Sequence, residues 1–312
     1  MRKVAIVGAG RVGEATAQVL AEKEVCREVV LLDVREGAPQ GVALDIMQTA
    51  PLAGFDTRVV GSNDPADLAG AELVVVTAGH PRKPGMSRSD VLATNLAVID
   101  GIVDQVLEWA PQAVLLMVTN PVDVLTWRAW QRTGWPRTRV FGQAGVLDAA
   151  RMAAFIAQAT GFSVKDITTL VLGGHGDAMV PLPRLSTVNG VPVGHFLDEA
   201  QIQDIIRRTR DGGAEILALR RISSAYDAPG AAVAAMVEAI ARDRRRLMPC
   251  VAVLQGEYGV RDVAMGVPCV LGAGGVEQVV ELALDAEERD AFARSARAVA
   301  ADIGRIQDGP GS

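Results

Sequence analysis

The chain predicts an α/β fold: a doubly wound parallel sheet followed by an α+β half with antiparallel strands. Three observations carry that prediction. Short runs rich in Val, Ile and Leu recur at residues 4–7, 29–32, 59–60, 73–77 and 114–119, and most are uninterrupted rather than alternating. Such runs suit strands buried on both faces, as in a parallel sheet covered by helices. Between them lie helix-length segments at 12–23, 40–49, 87–109 and 122–133, so strand and helix alternate through the first half. Near Phe141 the alternation stops.

Beyond that point the elements change character. A helix is expected over 147–160, then a strand over 168–172 that ends at Leu172. Asn189-Gly190, between apolar residues, predicts a hairpin turn. Long helical stretches follow at 198–220 and 231–245, then strand-like runs at 250–254 and 267–271. Asp285-Ala286-Glu287-Glu288 has the D-x-x-E spacing of a capping box opening the last helix. The expected domains are residues 1–142 and 143–312. No short-period repeat or low-complexity linker separates them.

Composition narrows the function. The 312 residues are 49% apolar and 22% charged, ordinary for a packed globular protein. The net charge of −6 argues against nucleic acid as the main partner, because phosphate binding needs a basic footprint. The three cysteines, Cys26, Cys250 and Cys269, form no C-x-x-C pair and suit a reducing cytoplasm. The apolar run after Met1 is too short for a secretory leader, and no run approaches the ~20 residues of a membrane span. No metal-ligand spacing is present.

Four motifs carry chemistry. Gly8-Ala9-Gly10-Arg11-Val12-Gly13 follows the first strand and opens a helix. Alone, G-x-G-x-x-G is a weak signal. In this context Gly8 permits the tight turn, Gly10 lets a pyrophosphate approach the backbone, and Gly13 lets helix and strand pack closely. Asp33 ends the next strand, where an acid binds the two adenosine ribose hydroxyls and repels a 2′-phosphate. The first half is therefore read as a Rossmann domain binding NAD rather than NADP.

Leu172-Gly173-Gly174-His175-Gly176-Asp177 holds one of three histidines. A lone histidine is more often a surface or core residue than a catalyst, yet flanking glycines let other groups approach, and imidazole suits proton exchange near neutrality. In Leu147-Asp148-Ala149-Ala150-Arg151, Asp148 and Arg151 share a helix face, and the simpler reading is an intrahelical ion pair. The alternative gives Asp148 to a histidine and Arg151 to a carboxylate ligand. In Val118-Thr119-Asn120-Pro121-Val122-Asp123, Pro121 stops a strand at its carboxyl end, where ligands bind in open α/β sheets. Asn120 there is a turn residue or a hydrogen-bonding group for substrate.

These motifs, in this order and at these intervals, resemble the NAD-dependent L-2-hydroxyacid dehydrogenases, the family that contains lactate and malate dehydrogenases. The resemblance runs from VAIVGAGRVG to GVPCVLGAGG. GHPRKPGMSR at 79–88, with ALDIMQTAP and RISSAYDAPGAAV, is similar to the malate branch, in the bacterial type close in sequence to lactate dehydrogenase. The resemblance implies an NAD-dependent oxidoreductase for malate and oxaloacetate. His175 would exchange the proton and Asp148 would support it. Arg151 would bind the carboxylate beside the reacting carbon, Arg88 would polarise the ketone, and Asn120 would orient it. Arg82 would hold the second carboxylate, where lactate dehydrogenases typically carry Gln. Gly8, Ala9, Gly10, Arg11, Val12, Gly13, Asp33, Asn95, Val118 and Asn120 would contact NAD. Ser223 and Asp227 depart from the family's pattern at the pocket wall.

Lactate dehydrogenase, or a branch taking another 2-oxo acid, is the alternative within enzymes. A non-catalytic NAD sensor is the alternative outside them. A cytoplasmic homodimer or homotetramer is expected, with the apolar helix at 231–240 as a candidate partner face. No role is assigned to His195, and the arginines at 207–210 and 242–246 are read as solvated or salt-bridged rather than as phosphate sites.

Overall fold

The computed structural model describes residues 1–80 and 88–307, with the backbone alone at 88–90. The first half alternates β1 (Lys3–Val7), α1 (Arg11–Glu22), β2 (Glu28–Leu32), α2 (Ala38–Ala53), β3 (Arg58–Ser62), β4 (Leu73–Val76), α3 (Arg88–Trp109), β5 (Val114–Met117), α4 (Val122–Thr133) and β6 (Val140–Gly142). The strands are parallel in the order β3-β2-β1-β4-β5-β6. Continuous aliphatic runs become strands covered on both faces: Val4–Ile6 and Leu73–Val76 are 0% exposed throughout. The chain reverses direction across the sheet between β1 and β4. This switch point opens a crevice at the carboxyl ends of both strands.

The second half contains α5 (Gly145–Thr160), β7 (Ile167–Thr168), β8 (Val171–Gly173), β9 (Met179–Pro181), β10 (Thr187–Val188), β11 (Val191–Pro192), α6 (Glu199–Arg220), α7 (Asp227–Ala241), β12 (Arg246–Gln255), β13 (Arg261–Gly272), β14 (Gly275–Val279) and α8 (Ala286–Gln307). β12 and β13 form a long antiparallel pair. β12 also joins β6 antiparallel through Val251 and Gly142, so the parallel sheet continues into the antiparallel strands. The hydrophobic core is correspondingly continuous from Val4 through Phe141 to Met265.

Two expectations change. The single strand at 168–172 is two strands in two sheets. β7 pairs with β10, while β8 pairs with β9 and β13. A continuous apolar run does not show which partner each residue will take. The apolar helix expected at 231–245 ends at Ala241, and its face is consumed within the chain. It packs on α1 so closely that a Cβ on Gly230 would lie 2.7 Å from Cβ of Ala15. Exposed large apolar residues lie instead on α2 (Leu44, Leu52) and near the end of α6 (Leu217, Leu219, Ile222).

Local signals at the turns hold. Asn189 and Gly190 both have positive φ and join β10 to β11. Glu288 N donates to Asp285 Oδ1 at 2.9 Å and Asp285 N to Glu288 Oε2 at 3.0 Å, the reciprocal capping box before α8.

Candidate active site

The glycine-rich turn is built for close approach. Gly8 has φ of 111°, and a Cβ there would fall 2.5 Å from Ala78 N. A Cβ on Gly13 would fall 2.0 Å from Gly8 O, so glycine is what lets α1 sit against β1. Gly10 differs, because a Cβ would meet nothing within 4 Å. It is the N-cap of α1 and has no side-chain cap. Its open face and the uncapped amides of Arg11, Val12 and Gly13 suit a diphosphate. Ala9 N donates to Asp33 Oδ2 at 2.9 Å, tying the turn to the acid at the end of β2. Arg35 holds the Asp33 carboxyl below its usual range. Glycine cradle, helix terminus and acid together fit a dinucleotide.

The carboxyl ends of β1, β4 and β5 are laced together. Thr77 Oγ1 donates to Gly8 O at 2.9 Å, and Thr119 Oγ1 to Ala78 O at 2.6 Å. Asn95 is 1% exposed. Its Oδ1 accepts from His80 N at 2.7 Å, while Nδ2 donates to His80 O at 3.2 Å and Asn120 O at 2.8 Å. Both amide protons are therefore spent on backbone. Asn95 braces the crevice, although the resemblance implied a cofactor contact. Val118 is half-buried beside it, and the exposed Asn120 precedes a cis peptide bond to Pro121. The Arg11 guanidinium lies over the Tyr226 ring, 5.1 Å from its centre.

Across the crevice, the turn between β8 and β9 presents His175. Asp148, in the first turn of α5 and 1% exposed, lies with Oδ2 2.8 Å from His175 Nδ1. Arg151, one helical turn on, donates Nη1 to Asp148 Oδ1 at 3.1 Å. Both readings of these two residues thus meet in one carboxylate, which bonds the helix neighbour and the imidazole. Burial works against charge on His175, but Asp148, and behind it Asp123, outweigh it and raise its pKa above 6.5. Arg151 Nε is buried without a partner among the described residues. The fork therefore keeps donor capacity for an anion.

Sequence reasoning left Asp123 without a role. It stands in the first turn of α4, and its Oδ2 accepts from His175 N at 2.8 Å. Oδ1 is buried without a partner among the described residues, and burial pushes the carboxyl up to about 6. The signal lay in plain view, three residues after Asn120, but nothing local said it would reach a turn 52 residues away. Gly212 was also missed. A Cβ there would fall 3.2 Å from Arg151 Cδ. A glycine in mid-helix costs α6 about 1 kcal/mol, and the space beside Arg151 accounts for the one at 212. Arg82 lies outside the described residues, and so does the side chain of Arg88, whose backbone begins α3. Ser223 is half-buried, and the exposed Asp227 pairs with Arg220 at 2.7 Å.

Two family models match the chain in succession: the lactate/malate dehydrogenase NAD-binding domain over residues 2–142 and the lactate/malate dehydrogenase α/β C-terminal domain over 145–308. The chain belongs to the lactate/malate dehydrogenase family. Malate dehydrogenase of Thioalkalivibrio sulfidiphilus is 67% identical over 98% of this chain and 100% of its own. That of Nitrosococcus oceani is 60% identical over 98% of both. Among solved structures of the family, malate dehydrogenase of Salinibacter ruber superposes with a TM-score of 0.94 at 44% identity, covering 98% of each chain. A lactate dehydrogenase of Cryptosporidium parvum, solved with lactic acid and nicotinamide adenine dinucleotide, superposes at 0.95 with 36% identity over 99% of each chain. Membership of this lactate/malate dehydrogenase family makes the glycine-rich half an NAD-binding domain.

Proposed function

We propose that the chain is an NAD-dependent malate dehydrogenase, interconverting malate and oxaloacetate with His175 as the proton-exchanging group. The observation that carries this is the single carboxylate of Asp148 bonded both to His175 Nδ1 and to Arg151 Nη1. That arrangement sets an acid/base group beside a carboxylate-binding group on a rigid helix turn. Close relatives named malate dehydrogenase over nearly the whole chain support the substrate.

Gly8, Gly10, the first amides of α1 and Asp33 would hold NAD, with Val118 and Asn120 lining its path. When bound, the nicotinamide supplies or accepts the hydride. The chain does the rest. Arg151 grips the carboxylate beside the reacting carbon through its unused donors. His175, held by Asp148 at Nδ1, presents Nε2 to the substrate oxygen. In reduction it gives its proton to the developing alkoxide, and in oxidation it takes the hydroxyl proton. Asp148 fixes the tautomer and stabilises the imidazolium. Asp123 adds charge behind the ring and holds the turn by its backbone.

Arg88 polarises the ketone and Arg82 binds the second carboxylate of a four-carbon diacid. Pyruvate lacks that group, so closing over it would leave Arg82 unpaired in a dry site. Oxidation of NADH with oxaloacetate and with pyruvate tests the reading. Faster turnover of pyruvate would move the chain to the lactate branch, and no turnover of either would leave a cofactor-binding protein. The domains divide at 142/143. The chain works in the cytoplasm as a homodimer or homotetramer, with exposed Leu44 and Leu52 on α2 among the interface residues.

A further inference from the structure

Asp33 has no lone pair to spare. A carboxylate offers about four acceptor positions. Oδ2 accepts from Ala9 N at 2.9 Å and from Arg35 Nη2 at 2.9 Å. Oδ1 accepts from Arg35 N at 2.9 Å and from Arg35 Nε at 3.0 Å. Arg35 Nη2 also donates to Ala9 O at 3.1 Å, spanning the glycine-rich turn. The guanidinium therefore covers the place where the two ribose hydroxyls of an adenosine would bind an acid.

Side chains pin the turn that carries Arg35, while its guanidinium reaches Asp33 from an exposed arm. Asn63 Nδ2 donates to Asp33 O at 2.6 Å and to Arg35 O at 3.0 Å, and Gln40 Nε2 holds Asn63 Oδ1 at 2.8 Å. The Arg35 side chain is 61% exposed, against 11% for Asp33. With its arm in water, the guanidinium exchanges these bonds for solvent ones when it turns away. Turning the guanidinium off Asp33 frees two acceptor positions, the number a ribose diol needs. The displaced group then stands next to the 2′-oxygen, in reach of whatever that oxygen carries.

We propose that Arg35 is a cofactor-specificity residue: swung off Asp33, it receives a 2′-phosphate, so that the chain accepts NADP as well as NAD. Asp33 alone would exclude the phosphate by repulsion. Arg35, displaced but still beside it, sets a positive charge against that repulsion, and the planar fork of arginine matches phosphate oxygens. The inference rests on the dehydrogenase reading only for the use of the cofactor in turnover; the binding itself is separable.

The experiment titrates adenosine 5′-monophosphate and adenosine 2′,5′-bisphosphate into the wild type and into Arg35→Ala and Arg35→Lys, by calorimetry. kcat/KM is measured in parallel for NADH and NADPH with oxaloacetate. In Arg35→Ala the bisphosphate should lose about tenfold in affinity while the monophosphate changes less than about twofold, and Arg35→Lys should retain part of the difference. The NADPH/NADH ratio of kcat/KM should fall in the same order. A bisphosphate affinity unmoved by Arg35→Ala, or equal losses for both nucleotides, overturns the proposal. Absence of turnover with either cofactor, with the nucleotide pattern intact, would count against the malate reading and leave Arg35's role standing.

Discussion

The backbone N–H of His175 donates to Asp123 Oδ2 at 2.8 Å, joining the turn after β8 to the first turn of α4. Asp148 holds the same histidine by its ring. Two carboxylates thus face His175, with Arg151 the nearby opposing charge. Asp123→Asn keeps an acceptor for the backbone amide and removes a negative charge, so the His175 pKa should fall. Reduction of oxaloacetate needs protonated His175, and its alkaline limb should move to lower pH. The acid limb of malate oxidation, which needs the neutral ring, should move the same way. The measurement is kcat/KM against pH in both directions; limbs that stay put would show that Asp123 acts by shape alone.

Asp148 raises the His175 pKa above 6.5 despite burial. The wild type should therefore sustain reduction to higher pH than a free imidazole would allow. Asp148→Asn should cut turnover and bring the alkaline limb down. His175→Gln should lose roughly 10²–10⁴-fold in kcat, the usual worth of a positioned acid/base group. NADH affinity, read by fluorescence titration, should survive His175→Gln. Turnover retained in that variant would remove the histidine from the reaction.

Gly212 makes room for the aliphatic part of Arg151. Gly212→Ala should push the guanidinium off its line while improving the helix propensity of α6. The expected result is a KM for oxaloacetate raised about tenfold, the size of a lost charge-assisted hydrogen bond, with unchanged or higher Tm. An unchanged KM would mean that the side chain slides without losing its ligand.

Gly10 and Gly13 should separate binding from stability. A Cβ on Gly13 would meet Gly8 O at 2.0 Å, whereas one on Gly10 meets nothing. Gly13→Ala should cost ~1–3 kcal/mol of stability as an overpacked site. Gly10→Ala should leave Tm in place and weaken NADH binding, because its methyl occupies the face left to the diphosphate. Thermal melts and NADH titrations of the two variants check this. Similar melting losses in both would sink the distinction.

Arg82→Gln should cost several kcal/mol in oxaloacetate turnover and raise relative activity on pyruvate, with about 3 kcal/mol the upper end for one hydrogen bond to a charged group. The ratio of kcat/KM for the two substrates is the readout, and a constant ratio would be falsifying.

Periodicity and local chemistry determined a large part of this protein. Uninterrupted Val/Ile/Leu runs specify parallel strands, because burial on both faces leaves no polar position to alternate. Asn189-Gly190 and the Asp285/Glu288 box specify their turn and cap, since each interaction closes within four residues. The glycine-rich turn and Asp33 were legible for the same reason, as both sit at strand ends whose geometry is local. Tertiary structure alone decided the rest. It split the run at 168–172 between two sheets, sent Asp123 to His175, aimed Gly212 at Arg151, and buried the apolar face of α7 on α1. Each of these depends on which distant surface arrives opposite a residue, and a side chain's own sequence neighbourhood does not encode that. The physical reason is that hydrophobic burial is non-directional and selects partners only through the packing of the whole chain.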